Sequence, residues 1–128
     1  MRLLIDTHVF LWWDGQPASI SPSLLASIRD DATDIFVSAA SVWEIAIKRA
    51  IGKLGFSQPI VSVIAAHGFE VLPITGEHAE HAGELPRHHA DPFDRLLVAQ
   101  AYLERMILGT QDPKMSPYGV PTLGLDRN

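Results

Sequence analysis

The chain has 128 residues, of which 47% are hydrophobic and 20% charged, and its formal net charge is -5. This length fits a single domain, 1–128, with enough apolar content to bury a core, and the composition excludes a disordered or fibrous protein. The mild acidity argues against wrapping duplex nucleic acid with a broad basic face, but a nuclease can still approach phosphate through bound cations. The absence of cysteine excludes disulfides and thiolate metal sites.

The first half of the chain alternates strand patterns with helical ones. The apolar run that opens the sequence, MRLLID, ends in a carboxylate at Asp6. Gly15 closes the short helix that follows, and Ser21 with Pro22 marks the start of the next one. In chain order the predicted elements are a strand at 2–6, helices at 7–15 and 21–30, a strand at 34–39 and a longer helix at 38–54.

The second half continues the alternation. Gly68 ends a helix, Thr75 caps the next, and Asp91 followed by Pro92 is a strong N-cap signal for a third. The predicted elements are a helix at 59–67, a strand at 69–74, helices at 75–85 and 92–105, a strand at 106–110 and a short edge strand within 118–123. We expect residues 125–128 to form a frayed tail.

Strands that alternate with helices predict an α/β fold, with a parallel sheet flanked by helices on both faces. The crossover connections should be right-handed. Ligands of such folds bind beyond the carboxyl ends of the strands, near a switch in strand order.

Four acidic residues have positions that suit a site at this edge. Asp6 follows the first strand and Asp112 follows the strand at 106–110. Glu44 interrupts the apolar stripe of its helix, and Asp94 lies in the first turn of the helix that leads into the strand at 106–110. Each acid alone has an ordinary structural explanation, as a turn, a cap, a helix-dipole partner or, for Glu44, an ion pair with Lys48.

Together the four acids favour a cation site. Two unit charges 4 Å apart repel by about 4 kcal/mol at an effective dielectric constant of 20, which a fold should not retain without a compensating cation. Oxygen ligands without cysteine suit Mg²⁺ or Mn²⁺. Such ions support phosphoryl chemistry, although the sequence leaves open whether one or two are bound.

Four segments, LLIDTHVFLWW, SAASVWEIAIK, DPFDRLLVAQA and LGTQD, resemble in order the acidic motifs of PIN-domain ribonucleases, above all the VapC-type toxins of toxin–antitoxin pairs. This resemblance spans nearly the whole chain. It implies a sheet of strand order 3-2-1-4-5 and a Mg²⁺-dependent endoribonuclease, with Mn²⁺ as a possible substitute. It also implies a homodimer that is inhibited by a cognate antitoxin.

The resemblance also implies roles for individual residues. It makes Asp6, Glu44, Asp94 and Asp112 the metal-binding acidic cluster, and it matches Thr110 to the small hydroxyl residue before the last acid. For Asp91 we favour capping alone, with the orientation of a metal-bound water as the alternative. The chain departs from the family pattern in two places: the DxxxA pattern fits Asp94 and residues 98–99 only approximately, and the tail LGLDRN has no counterpart.

Several other residues are weaker candidates. Lys48, Arg95 and His8 could contact RNA, the first two as members of local basic groups that also include Arg87, His88 and His89. A zinc site at His78, His81, His88 and His89 is a minor alternative, because EHAEHAGEL is typical of a solvated helix face. Trp12 and Trp13 are adjacent on a short helix, so we expect at least one to face outward or to meet a partner.

Other functions fit the sequence less well. A receiver-like phospho-acceptor domain needs an acceptor after a middle strand and a late lysine, and a haloacid-type phosphatase needs a second acid where the chain has DTH. A catalytically inactive binding domain of similar architecture stays open. The chain start lacks the features of a signal peptide and no stretch suggests a membrane span, so we expect a cytoplasmic protein.

Overall fold

A five-stranded parallel sheet forms the centre of the protein in our computed structural model, which describes residues 1–125. The strands are β1 (Arg2–Ile5), β2 (Asp34–Ser38), β3 (Glu70–Leu72), β4 (Ile107–Gly109) and β5 (Thr122–Leu123). They lie in the order 3-2-1-4-5, and every neighbouring pair is parallel. Both the α/β class and the strand order predicted above are confirmed.

Helices connect the strands, as the sequence pattern predicts. They are α1 (Thr7–Gly15), α2 (Pro22–Arg29), α3 (Ala39–Ala50), α4 (Ile60–Ala66), α5 (Gly76–Glu84) and α6 (Pro92–Glu104), and 3-10 turns occur at Pro17–Ser19 and Pro113–Tyr118. No helix within residues 1–125 is long and apolar enough to cross a membrane.

The structure shortens some of the predicted strands. The strand expected at 69–74 covers only Glu70–Leu72, because Pro73 has no N–H group with which to continue the ladder. The expected edge strand is confirmed as Thr122–Leu123, directly after Pro121. The predicted frayed tail falls mainly on residues 126–128, which lie outside the described part of the chain.

The sheet is buried on both faces, with β1 at its centre. Leu3 and Ile5 belong to one buried cluster, together with Phe10 of α1, and Leu4 belongs to a second cluster, together with Leu97 of α6. Alternating side chains of a strand point to opposite faces, which explains this division. Because β1 is packed on both faces, it gives a rigid support for Asp6, the residue that follows its carboxyl end.

The carboxyl ends of β1 and β4 lie side by side. Ile5 is in register with Gly109, and the N–H group of Asp6 donates to the carbonyl oxygen of Gly109 at 2.9 Å. Gly124, which follows β5, packs against the backbone of Thr110. Its φ is 112°, and a Cβ atom there would lie 2.6 Å from the carbonyl oxygen of Thr110. The chain after β4 therefore leaves the sheet close to Asp6.

The two adjacent tryptophans of α1 are both half-buried. Trp12 and Trp13 pack against the cluster that contains Phe10, and the Trp13 ring lies 6.3 Å from that of His67 and 6.1 Å from that of Phe69. Neither tryptophan is fully exposed, because the segment between α4 and β3 packs against Trp13, and the expectation that one of them meets a partner stays a prediction. The exposed tryptophan is Trp43 of α3, at 63%.

The histidines of α5 also have structural contacts. His78 is only 1% exposed; its Nδ1 accepts from the N–H of Thr75 at 3.0 Å and its Nε2 lies 2.7 Å from Glu104 Oε2. His81 stacks on Tyr102 with 4.9 Å between ring centroids. The expected solvated face is therefore wrong at His78, and these contacts give the zinc alternative no support.

Candidate active site

Asp6 begins the candidate site at the junction of β1 and β4. It is buried and caps α1, since its Oδ1 accepts a hydrogen bond from the N–H of Val9 at 2.9 Å. Its Oδ2 accepts a second hydrogen bond from the hydroxyl of Thr110. The same hydroxyl accepts from the N–H of Asp112 at 3.1 Å, so Thr110 links the two acids that follow neighbouring strands.

Burial raises the pKa of Asp6 above its usual value. The hydrogen bonds from Thr110 and Val9 and the charge of His8 act in the opposite direction, and the charge of Asp112 raises the pKa further. A carboxylate that is costly to ionise in this position favours the approach of a cation.

Glu44 brings an incompletely satisfied carboxylate to the site from α3. Glu44 is only 7% exposed, and its Oε2 lies 3.4 Å from Nζ of Lys48, one helical turn further on. Its Oε1 is buried and has no hydrogen-bond partner among the described residues. A buried carboxylate oxygen without a donor is costly, which marks this position for a ligand.

Asp94 enters from the first turn of α6. Asp91 caps this helix, because its Oδ1 accepts from the N–H groups of Phe93 at 2.8 Å and Asp94 at 3.3 Å. The pKa of Asp94 is raised to about 6. Burial is the main cause, the charges of Asp91, Asp6 and Glu44 also raise the pKa, and the charge of His89 lowers it. The acids therefore act on one another electrostatically, as their predicted convergence requires.

Asp112 starts the 3-10 turn that follows β4. Its Oδ1 accepts from the N–H of Lys114 at 3.0 Å, which orients the carboxylate. Its Oδ2 lies 3.2 Å from Nε2 of His89. One oxygen thus fixes the turn while the other faces the site.

His89 is a member of the cluster that the sequence did not identify. Its Nε2 lies 2.8 Å from Oδ2 of Asp94, in addition to the contact with Asp112. Ligand atoms of these three residues all lie within 4.8 Å of one another. The only sequence signal is the position of His89, two residues before the cap of α6 and hence near the carboxyl edge of the sheet.

The three predicted RNA contacts differ in their surroundings. Lys48 is half-buried and lines a cavity of about 450 Å³ together with Glu44, Asp91 and Phe93. His8 is exposed and lines a cavity of about 270 Å³ that also reaches Asp6 and Asp112. One opening therefore gives access to Glu44, and the other gives access to Asp6 and Asp112.

Arg95 is engaged within the protein. Its two terminal nitrogens donate to the carbonyl oxygens of Ala82, Leu85, Pro86 and His89 at 2.9 to 3.4 Å. These bonds fix the segment between α5 and α6, so the expectation that Arg95 contacts RNA is not supported.

A divalent cation fits this set of residues. Mg²⁺ and Mn²⁺ prefer carboxylate oxygens as ligands, and these are supplied by Asp6, Glu44, Asp94 and Asp112. Oε1 of Glu44, which has no hydrogen-bond partner among the described residues, is free to bind a metal ion. Burial first, and neighbouring carboxylates second, raise the pKa values of Asp6 and Asp94, and a bound cation would offset this cost of ionising them.

The family follows from comparison with known proteins. The model of the PIN domain matches residues 3–120, and the chain belongs to the PIN-domain family. Among curated proteins it is similar to Ribonuclease VapC22 of Mycobacterium tuberculosis (strain ATCC 25618 / H37Rv), with 29% identity over 122 residues that cover 93% of each chain. The resemblance drawn from the four acidic segments is confirmed, and the receiver-like alternative is set aside.

Solved structures of similar fold cover nearly the whole chain. VapBC2 from Rickettsia felis, bound to a DNA fragment from its promoter, has a TM-score of 0.68 at 13% identity and covers 98% of this chain and 100% of that one. VapBC-1 from nontypeable Haemophilus influenzae has a TM-score of 0.67 at 18% identity, with coverages of 96% and 97%. A toxin-antitoxin complex from Klebsiella pneumoniae gives 0.65 at 17% identity, with coverages of 98% and 99%. At these identities the likeness establishes the fold alone.

Proposed function

We propose that this chain is a divalent-metal-dependent endoribonuclease that hydrolyses RNA phosphodiester bonds and serves as the toxin of a toxin–antitoxin pair. The observation that carries the proposal is the grouping of the buried acids Asp6 and Glu44 with the partly buried Asp94 and Asp112, with Oε1 of Glu44 left without a partner among the described residues. The relative named as a ribonuclease supports the choice of RNA as substrate.

In this proposal Asp6, Glu44, Asp94 and Asp112 hold Mg²⁺, for which Mn²⁺ can substitute. The cation supplies orientation of the phosphodiester, activation of water and stabilisation of the leaving oxygen.

The surrounding residues position these acids. Thr110 holds Asp6 and Asp112 in a fixed relationship through its hydroxyl. Asp91 fixes the start of α6 and hence the place of Asp94. Lys48, beside Glu44 at the mouth of a cavity, offers a positive charge to an approaching phosphate. His8 lies at the second opening and is a further candidate for substrate contact.

Cleavage of a panel of purified RNAs, with Mg²⁺, Mn²⁺ or EDTA, tests the activity. We expect cleavage by the wild type with either ion, none with EDTA, and none by Asp6→Asn, which keeps the shape of the side chain but removes its charge. Asp34→Asn, at an exposed acid at the amino end of β2, is the matched control and should cleave normally. Equal cleavage by wild type and Asp6→Asn would remove Asp6 from the site, and cleavage in EDTA would contradict the metal dependence.

The proposed partners are a cognate antitoxin and, in a homodimer, a second copy of the chain. One structure of similar fold is a toxin-antitoxin complex from Klebsiella pneumoniae, and two others are of VapBC2 and VapBC-1. The antitoxin should present an arginine or lysine to the acidic cluster, since a cation there replaces the charge of the metal and blocks phosphate. We place the protein in the cytoplasm, where RNA is accessible.

Growth of bacteria that express the chain tests the toxin role. We expect wild-type protein to arrest growth, Asp94→Asn to be harmless, and coexpression of the neighbouring gene to restore growth. Normal growth with active wild-type protein would contradict it. Light scattering of the purified protein measures its mass, and a monomer at micromolar concentration would contradict the homodimer.

A further inference from the structure

His89 lies on the segment that joins α5 to α6, directly in front of two of the proposed metal ligands. Its Nε2 is 2.8 Å from Oδ2 of Asp94 and 3.2 Å from Oδ2 of Asp112. A single ring nitrogen thus bridges carboxylates that come from two separate parts of the chain. A cation between these two oxygens would occupy the same place.

The hydrogen bonds of the ring assign its proton. The backbone N–H of Asp91 points at Nδ1 of His89 at 3.3 Å, so Nδ1 is the acceptor and Nε2 carries the hydrogen. Nε2–H therefore donates to Asp94 and Asp112. Binding of a metal through Nε2 would move the hydrogen to Nδ1 and place it against the N–H of Asp91. The surroundings of His89 favour a donor at this position over a metal ligand.

The segment that carries His89 is held in place from two sides. Arg95 donates to three of its backbone carbonyl oxygens, including that of His89 at 3.4 Å, and also to the carbonyl oxygen of Ala82 in α5. The hydroxyl of Tyr118 accepts from the N–H of His89 at 2.8 Å. The ring therefore projects into the acidic cluster from an ordered backbone, and its contacts with the acids are built into the fold.

We propose that His89 is an internal substitute for the cation: its Nε2–H group occupies the ion position between Asp94 and Asp112, and a divalent cation must displace the ring in order to bind. This inference rests on the proposed metal site. It makes His89 a residue that lowers the affinity for the ion, because each binding event breaks its hydrogen bonds to two carboxylates. A bond to a charged partner is strong enough to change such an equilibrium roughly tenfold or more.

Calorimetric titration with MnCl₂ tests the proposal on wild-type protein, His89→Ala and the matched control His88→Ala. His88 is the exposed neighbour in the same segment, where its ring contacts Tyr118. We expect His89→Ala to bind Mn²⁺ roughly tenfold more tightly than wild type, and His88→Ala to bind as wild type does.

Weaker binding by His89→Ala would show that His89 is a ligand, and unchanged binding would show that it does not compete with the ion. Either result overturns the proposal. Absence of Mn²⁺ binding in all three proteins would defeat the proposed metal site and this inference with it.

A measurement on the wild type alone guards against misfolding of the variant. The ring nitrogens of ¹⁵N-labelled histidine report the tautomer of His89 by NMR before and after MgCl₂ is added. We expect the hydrogen to stay on Nε2 while the resonances of the ring shift as it leaves the acids. A hydrogen that moves to Nδ1, or a ring unaffected by saturating Mg²⁺, would overturn the proposal.

Discussion

The hydroxyl of Thr110 donates a hydrogen bond to the carboxylate of Asp6, although the two residues are 104 positions apart in the chain. The bond closes the junction between β1 and β4, and the hydroxyl also receives the N–H of Asp112. A change at Thr110 should therefore affect both acids at once.

Thr110→Val should destabilise the protein by about 1–3 kcal/mol, because it replaces the hydroxyl by a methyl group and leaves Oδ2 of the buried Asp6 and the N–H of Asp112 without this partner. Thr110→Ser keeps the hydroxyl and should cost only about 1 kcal/mol for the lost methyl group. Urea unfolding in EDTA measures both free energies. A valine variant as stable as the serine variant would show that the hydrogen bonds contribute nothing.

Glu44→Gln should stabilise the metal-free protein by about 1 kcal/mol, since it removes a buried charge that is repelled by neighbouring acids. The ion pair with Lys48 is lost in exchange, and a pair of this kind contributes only about 0.5 kcal/mol. The exposed acid Glu70 of β3 supplies the control, Glu70→Gln, which should change little. The opposite order of stability in the two variants would argue against repulsion at Glu44.

The stability of the metal-free protein should fall as the pH rises from about 4 to about 6. The pKa of Asp94 is raised from 3.8 to about 6, so in this window the folded state binds more protons than the unfolded state. Thermal unfolding in EDTA at several pH values measures this slope, which Asp94→Asn should reduce. An unchanged slope in the asparagine variant would assign the titration to other groups.

Trp13→Ala should cost about 2 kcal/mol of stability, because the indole packs between His67 and the core. Trp43→Ala should cost less than about 1 kcal/mol, since Trp43 is 63% exposed and its described ring contact is with Phe93. Chemical unfolding of the two variants distinguishes these environments, and equal losses would contradict them.

Much of the fold was predictable because local patterns determine it. The apolar run before Asp6, the Asp91–Pro92 cap and the helical spacing around Glu44 each predict an element at the right place. The placement of Asp6 and Asp112 beside each other needed only one further rule, that parallel strands end at a common edge, while the role of the four acids as metal ligands stays a prediction.

The rest depends on contacts between distant segments, which no local pattern records. The partial burial of Trp13 requires the segment between α4 and β3, which brings His67 and Phe69 beside α1. The place of His89 depends on Arg95 and Tyr118, both outside its own segment. For this reason the sequence indicated a histidine near Asp94 but not its contact with the cluster.

The central claim is that four acids form a divalent cation site: Asp6, Glu44, Asp94 and Asp112. The most direct test is the thermal stability of wild-type protein, Asp6→Asn and Asp34→Asn with and without millimolar MnCl₂. At about 100 times its dissociation constant, an ion that binds only the folded state adds roughly 2.7 kcal/mol to the free energy of unfolding. We predict such a gain for wild type and Asp34→Asn and its loss in Asp6→Asn. The same gain in all three proteins, or no gain in wild type, would contradict the account.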